Sequence, residues 1–207
     1  MANNEYHFVT QWRVRSTLKE ISDVLRDPTD LVRWWPSVYL DVQVLEVGEE
    51  SGLGKVVTLY TKGWLPYTLR WTFRVSEMRN DGFTLLASGD FDGRGIWTFA
   101  QDGEWVTMTY DWKISAEKPL LRNLSWVMKP IFSANHHWAM AKGEESLRLE
   151  LARRHASAVH ERVRVPRPPQ ATRFTLRPLR RLLGVFAFTG IVWMSGYLAP
   201  RLFRKIW

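Results

Sequence analysis

Between residues 67 and 78, apolar and polar side chains alternate. Tyr67, Leu69, Trp71, Phe73 and Val75 take one face; Thr68, Arg70, Thr72 and Arg74 take the other. A period of two residues held this long describes a strand with one buried and one wet face, as in an antiparallel sheet. Residues 6–15, 38–47, 55–62, 83–91, 94–100 and 104–115 read as further strands, which makes about seven. Asn80-Asp81-Gly82, Asp92-Gly93 and Asp102-Gly103 read as the turns between the later ones. After the first strand, Thr17 with Glu20 three residues on forms a capping box that opens a helix through about Arg26. Asp27-Pro28 ends it, and one more helical turn leads to Trp34-Trp35-Pro36.

Beyond Pro119 the period changes. From Ile131 to about Arg154, His136, Met140, Gly143, Leu147 and Leu151 recur at helical spacing along one stripe, while Glu144, Glu145, Arg148 and Arg153 lie largely elsewhere. A run of strands followed by one long amphipathic helix predicts an α+β domain, a curved antiparallel sheet wrapped around its C-terminal helix.

Twelve tryptophans exceed what a core of this size needs. Tyr67, Trp71 and Phe73 share a strand face; so do Trp97 and Phe99, and Tyr110 and Trp112. If these faces converge beneath the helix, they enclose an apolar cavity, the usual form of a small-molecule site. The expected lining is Trp71, Phe73, Trp97, Trp112, His136 and Met140. Gly143 costs about 1 kcal/mol in mid-helix, which a close contact with the sheet or a ligand would explain.

Catalytic chemistry finds little support. With no cysteine there is neither thiolate nor disulfide. His136 and His137 are adjacent and point about 100° apart on a helix, so they do not bind one metal together. Only His136 faces the sheet, as a buried histidine, a polar handle for a ligand, or the acid/base if the chain is an enzyme. Asp90 and Asp92 flank Phe91, but Asp92-Gly93 is ordinary turn chemistry. Gly93-Arg94-Gly95 does not open a helix and lacks the setting of a phosphate loop. Arg70 and Arg74 lie on the face opposite Trp71 and Phe73, so they form no basic–aromatic surface for nucleic acid.

Several stretches carry a family resemblance: Trp34-Trp35-Pro36, GRGIWTF at 93–99, VTMTYDWKI at 106–114 and NHHWAMAKGEESLRLEL at 135–151. Residues 5–154 or so resemble the START/polyketide-cyclase-like superfamily (SRPBCC), the helix-grip fold. The resemblance implies a cavity between sheet and helix that takes lipids, polyketides, hormones or steroids. It implies no fixed cofactor, and no catalytic residues carry over.

The rest of the chain differs in kind. Residues 1–152 hold 17 Lys/Arg and 20 Asp/Glu (net −3); residues 153–207 hold 12 and one (net +11). Residues 155–181, with four prolines and seven arginines, read as a solvated basic linker between the 1–154 domain and the C-terminal segment. Residues 182–200 are 19 residues without a charge, flanked by arginines and followed by a short basic tail, 201–207. They suit a single transmembrane helix. Positive charge concentrated before the span predicts a cytoplasmic domain. Met1–Val9 has no apolar h-region, so no secretory signal is expected, and Asn123-Leu124-Ser125 is then a chance glycosylation match. Gly184, Ala187, Gly190 and Gly196 would let a second membrane helix approach. The sequence thus predicts a membrane-tethered domain that binds a lipid or other apolar small molecule. The alternatives are a cyclase/dehydratase-like enzyme and an accessory subunit of a membrane complex.

Overall fold

The structure, a computed structural model, describes residues 4–117 and 125–172, the side chains of 125–128 excepted. Seven strands form one sheet: β1 Glu5–Arg15, β2 Tyr39–Glu46, β3 Val56–Lys62, β4 Thr68–Arg79, β5 Gly82–Gly89, β6 Phe91–Asp102 and β7 Trp105–Ala116. Their order is β1-β7-β6-β5-β4-β3-β2, and every neighbouring pair is antiparallel. The register follows the alternation in the sequence, so Leu69, Trp71, Phe73 and Val75 are all buried on β4.

The helices are α1 Leu18–Leu25, α2 Leu31–Trp34, α3 Ser125–His155 and α4 Val159–Arg164, with a 3₁₀ turn at Pro28–Asp30. The capping box at α1 forms as expected. Thr17 Oγ1 accepts from the Glu20 amide at 3.2 Å, and Glu20 Oε2 accepts from the Thr17 amide at 2.9 Å. Helix α3 crosses the inner face of the sheet and buries Met140, Leu147 and Leu151. It also covers the free edge of β1: Glu144 Oε1 accepts from the Arg13 amide, and Arg148 donates to the Arg13 carbonyl. These two bonds occupy the backbone groups of the edge strand at Arg13.

Three expectations shift. Helix α3 begins at Ser125, six residues before Ile131, because Pro130 lies within its second turn and does not end it. The β5–β6 turn is at Gly89-Asp90, not Asp92-Gly93. Gly89 supplies the positive φ of 109°, and the Asp90 carboxylate fixes the turn by accepting from the Arg70 amide at 2.8 Å. Gly93 belongs to β6, where a Cβ would collide with the Lys113 carbonyl. Residues 155–172, read as linker, contain α4 and a proline-rich strap. Arg153 donates to the Pro166 carbonyl near one end of the strap. At the other, Lys62 Nζ donates to the Thr172 carbonyl at 2.6 Å, and Thr172 Oγ1 donates to the Gly63 carbonyl. The expected span 182–200, the tail 201–207, and Asn123 and Leu124 lie outside the described residues. Among those described, no helix is long and apolar enough to cross a membrane.

An ion cluster around the buried Glu150 fixes α2 against the far end of α3. Glu150 accepts from both terminal nitrogens of Arg33, at 2.7 and 2.9 Å, and from Arg154 at 2.8 Å. Burial pushes the Glu150 carboxyl up, but the bonds from Arg33 and Arg154 outweigh it and hold the group below its ordinary range. A depressed carboxyl stabilises the fold above its unfolded pKa and loses that contribution as pH falls through its folded value. Arg33 is half in water, so Glu150→Ala is expected to cost about 2–3 kcal/mol, the low side of a broken buried pair. Urea denaturation at pH 7 checks this, and the same variant should show a shallower loss of stability below pH 5.

Candidate ligand cavity

The floor of the site is the inner face of the sheet, and a glycine in β6 sets the arrangement of its rings. Gly95 faces inward opposite Trp112; a Cβ there would lie 2.5 Å from Tyr110 Oη and 2.8 Å from Trp112 Cε3. The missing side chain lets Trp97, Tyr110 and Trp112 stack in succession, with centroids 4.4 and 5.5 Å apart. Trp12 of β1 leans on Trp97 at 5.3 Å and on Trp35 at 5.3 Å.

Trp35, just after α2, is the hinge of the arrangement. A Cβ on Gly143 would collide with its ring, so the mid-helix glycine exists for Trp35, not for the sheet or a ligand. Gly143→Ala gains helix propensity of about 1 kcal/mol but forces the indole aside. The net expectation is a destabilisation of about 1–2 kcal/mol, as for an overpacked core, relieved by Trp35→Leu in the same chain. Thermal unfolding of the two single variants and the double variant reads this directly.

Among the described residues, the rings leave two hollows rather than the single cavity expected. The smaller, about 140 Å³, lies between the mid-part of α3, β1 and the β3–β4 loop. The larger, about 240 Å³, lies beneath α1, α2 and the β4–β5 hairpin. Trp112 and His136 line the first, and Phe73 and Trp97 the second. Trp71 and Met140 face both, together with Trp35, Tyr39 and Tyr110. All six expected residues therefore line a hollow, on two sides of a shared wall. Sequence reasoning missed Trp35, Tyr39 and Tyr6. The Trp34-Trp35-Pro36 run marked the first without showing which way it points.

The smaller hollow is almost free of charge. Burial pushes the hydroxyls of Tyr6, Tyr39, Tyr67 and Tyr110 above their ordinary range, so all four stay protonated. Thr61 accepts from the Trp71 indole at 3.2 Å. Among the described residues, no carboxylate lines this hollow. Lys62 stands at its mouth beside Gly63, where Asn135 Oδ1 accepts from the Trp64 and Leu65 amides and ties the loop to α3. His136 faces inward and His137 outward, as the helical phase required. The His136 ring stacks on Phe8 with centroids 4.1 Å apart, and its Nε2 lies 3.5 Å from Thr10 Oγ1.

Burial, with a smaller effect from His137, pushes the His136 imidazole down to about 4. It is neutral at physiological pH. An unfolded histidine takes a proton near 6.5, so protonation favours the unfolded chain between those two values. Stability should therefore fall as pH drops from about 6.5 to about 4. Histidine NMR titration should give His136 a midpoint near 4, with a midpoint near 6.5 contradicting the buried stack. Among the described residues, no group of three His, Cys, Asp or Glu side chains is placed to hold a metal.

Solved structures share this architecture. An aromatase/cyclase from Streptomyces sp. R1128 superposes with a TM-score of 0.55 at 18% identity, over 75% of this chain and 98% of that one. A protein from Thermus thermophilus gives 0.55 at 14% identity, over 68% and 96%. One from Mycobacterium smegmatis gives 0.51 at 14%, over 72% and 92%. At such identities the likeness is one of fold, and the fold is the helix grip that the resemblance implied. No protein-family model and no curated protein matches the sequence.

Proposed function

We propose that this chain is a binding domain for a lipid or other apolar small molecule, held between sheet and α3, and tethered to a membrane by residues 182–200. The observation that carries the reading is a pair of ring-lined hollows where a domain of this size would otherwise pack solid. Both hollows leave aromatic and aliphatic surface uncovered, and a bound apolar molecule would take that surface out of water. Cavities of similar size lined by aliphatic and aromatic side chains take up benzene-sized molecules.

Binding is favoured over catalysis by the state of His136. A general acid or base works best with a pKa near the operating pH, and an imidazole at about 4 is neither an acid at pH 7 nor a strong base. One of the similar structures is an aromatase/cyclase, and the cyclase alternative rests on that likeness of fold alone. The charge-free run 182–200 with its arginine flank supports the tether, and the net +11 of residues 153–207 suits an anionic, cytoplasmic bilayer surface.

Purification of the full-length chain in mild detergent, followed by mass spectrometry of an organic extract, is expected to release a stoichiometric apolar molecule. Ala139→Leu, which projects into the smaller hollow from α3, should lower that yield several-fold without unfolding the chain. Deletion of 182–207 should move the protein from membrane to supernatant. A folded chain that carries nothing, in membrane extracts and after incubation with lipid alike, contradicts the binding reading.

A further inference from the structure

The two hollows differ in one respect that bears on the ligand. Among the buried polar atoms left without a partner are Tyr6 Oη and Trp35 Nε1. Tyr6, 6% exposed, lines only the smaller hollow, whereas Trp35, 5% exposed, lines both. An indole N–H can only donate, and a protonated phenol donates readily. A buried donor without an acceptor is uncommon and costly, so the Tyr6 hydroxyl on the wall of this small cavity calls for an acceptor from outside the chain. The floor of the larger hollow, formed by Phe73, Leu85, Trp97 and Phe99, is apolar. Two of the cations on its rim are already engaged: Lys55 donates to the Arg26 carbonyl, and Arg79 pairs with Glu77 and Asp81.

We infer that the ligand is a neutral, elongated molecule whose carbonyl-class oxygen sits in the smaller hollow against Tyr6, and whose hydrocarbon body reaches the larger one. This rests on the binding function proposed above and goes beyond it by naming the ligand's chemistry. Neutrality follows from the wall. Its cations lie outside the enclosed part: Lys62 at the mouth already donates to the Thr172 carbonyl, and Lys129, over the Tyr6 ring, is exposed, so an ionised carboxylate among these rings would lose its hydration without gaining a buried cation. The elongated shape follows from the shared partition, where Met140 is the flexible member. An unbranched thioether side chain shifts rotamer easily to open a passage.

Four probes decide the matter when titrated into the full-length chain in one non-ionic detergent: 4-hexylacetophenone, 1-ethyl-4-hexylbenzene, 4-hexylbenzoate and acetophenone. The hexyl ketone should bind about 3- to 10-fold tighter than the hydrocarbon of the same shape, the return expected of one hydrogen bond. It should also bind tighter than the benzoate and than short acetophenone. Tyr6→Phe should remove most of the ketone's advantage and leave the hydrocarbon's affinity unchanged. Phe73→Trp, which fills the larger hollow, should abolish the gain from the hexyl chain. The infrared carbonyl stretch of the bound hexyl ketone should move to lower frequency than in empty micelles, a readout that needs no variant. Equal binding of ketone and hydrocarbon, an unshifted carbonyl stretch, or tighter binding of the benzoate overturns the inference while leaving the binding function intact. Binding of none of the four also overturns the inference, and it removes the binding function itself where the folded chain is empty in membrane extracts and after incubation with lipid as well.

Discussion

A single indole against a bare helix backbone holds the architecture open. Trp35 meets Trp12 of β1 on one side and Gly143 of α3 on the other, and both hollows share it as a wall. Its position is fixed from two directions. The Glu150 cluster pins the preceding turn of helix to the far end of α3, and the Gly143 notch admits the ring. Were the indole free to rotate away, the helix could settle toward the sheet and the two hollows would close. The aromatic surplus in the composition is thus a consequence of shape. Large flat rings bridge a curved sheet and a straight helix without filling the space between them.

The chemistry inside follows from the same enclosure. Burial keeps the tyrosines protonated and His136 neutral, so a lining with many titratable groups behaves as a polarisable, uncharged one. Such a surface recognises shape and a few hydrogen bonds, and is ill suited to moving protons. The mouth is different. There Lys62, Asn135 and Thr172 knit the β3–β4 loop, α3 and the proline-rich strap together by hydrogen bonds. The strap brings the basic C-terminal stretch of the described chain back to the opening of the smaller hollow.

Most of the fold was legible in the sequence because it rests on local periods. The alternation through β4, the Asn80-Asp81 hairpin, the Thr17 capping box and the stripe from His136 to Leu151 each repeat at the spacing of their element and occur where the spacing placed them. The misplacements share a cause: a residue whose local signal was overruled by its wider setting. Gly93 looked like a turn but is a strand position crowded by Lys113 across the ladder. The start of α3, expected at Ile131, lies at Ser125, with Pro130 absorbed in its second turn. The division of the cavity was not legible at all, because it depends on Trp35, Met140 and Tyr110 converging from three elements far apart in the chain. The cavity residues named from the sequence were nonetheless all lining residues, since strand and helix phase alone decide which side chains face inward.

The central claim is that the space between sheet and helix is open and apolar on both sides of Trp35. Crystals of the folded domain under xenon pressure test this most directly, because xenon enters dry apolar cavities and little else. The account predicts two xenon sites, one beside Phe8 and His136 and one beside Phe73 and Leu85, with the Trp35 indole between them. Xenon at neither place, with side chains packed across both hollows, would contradict it.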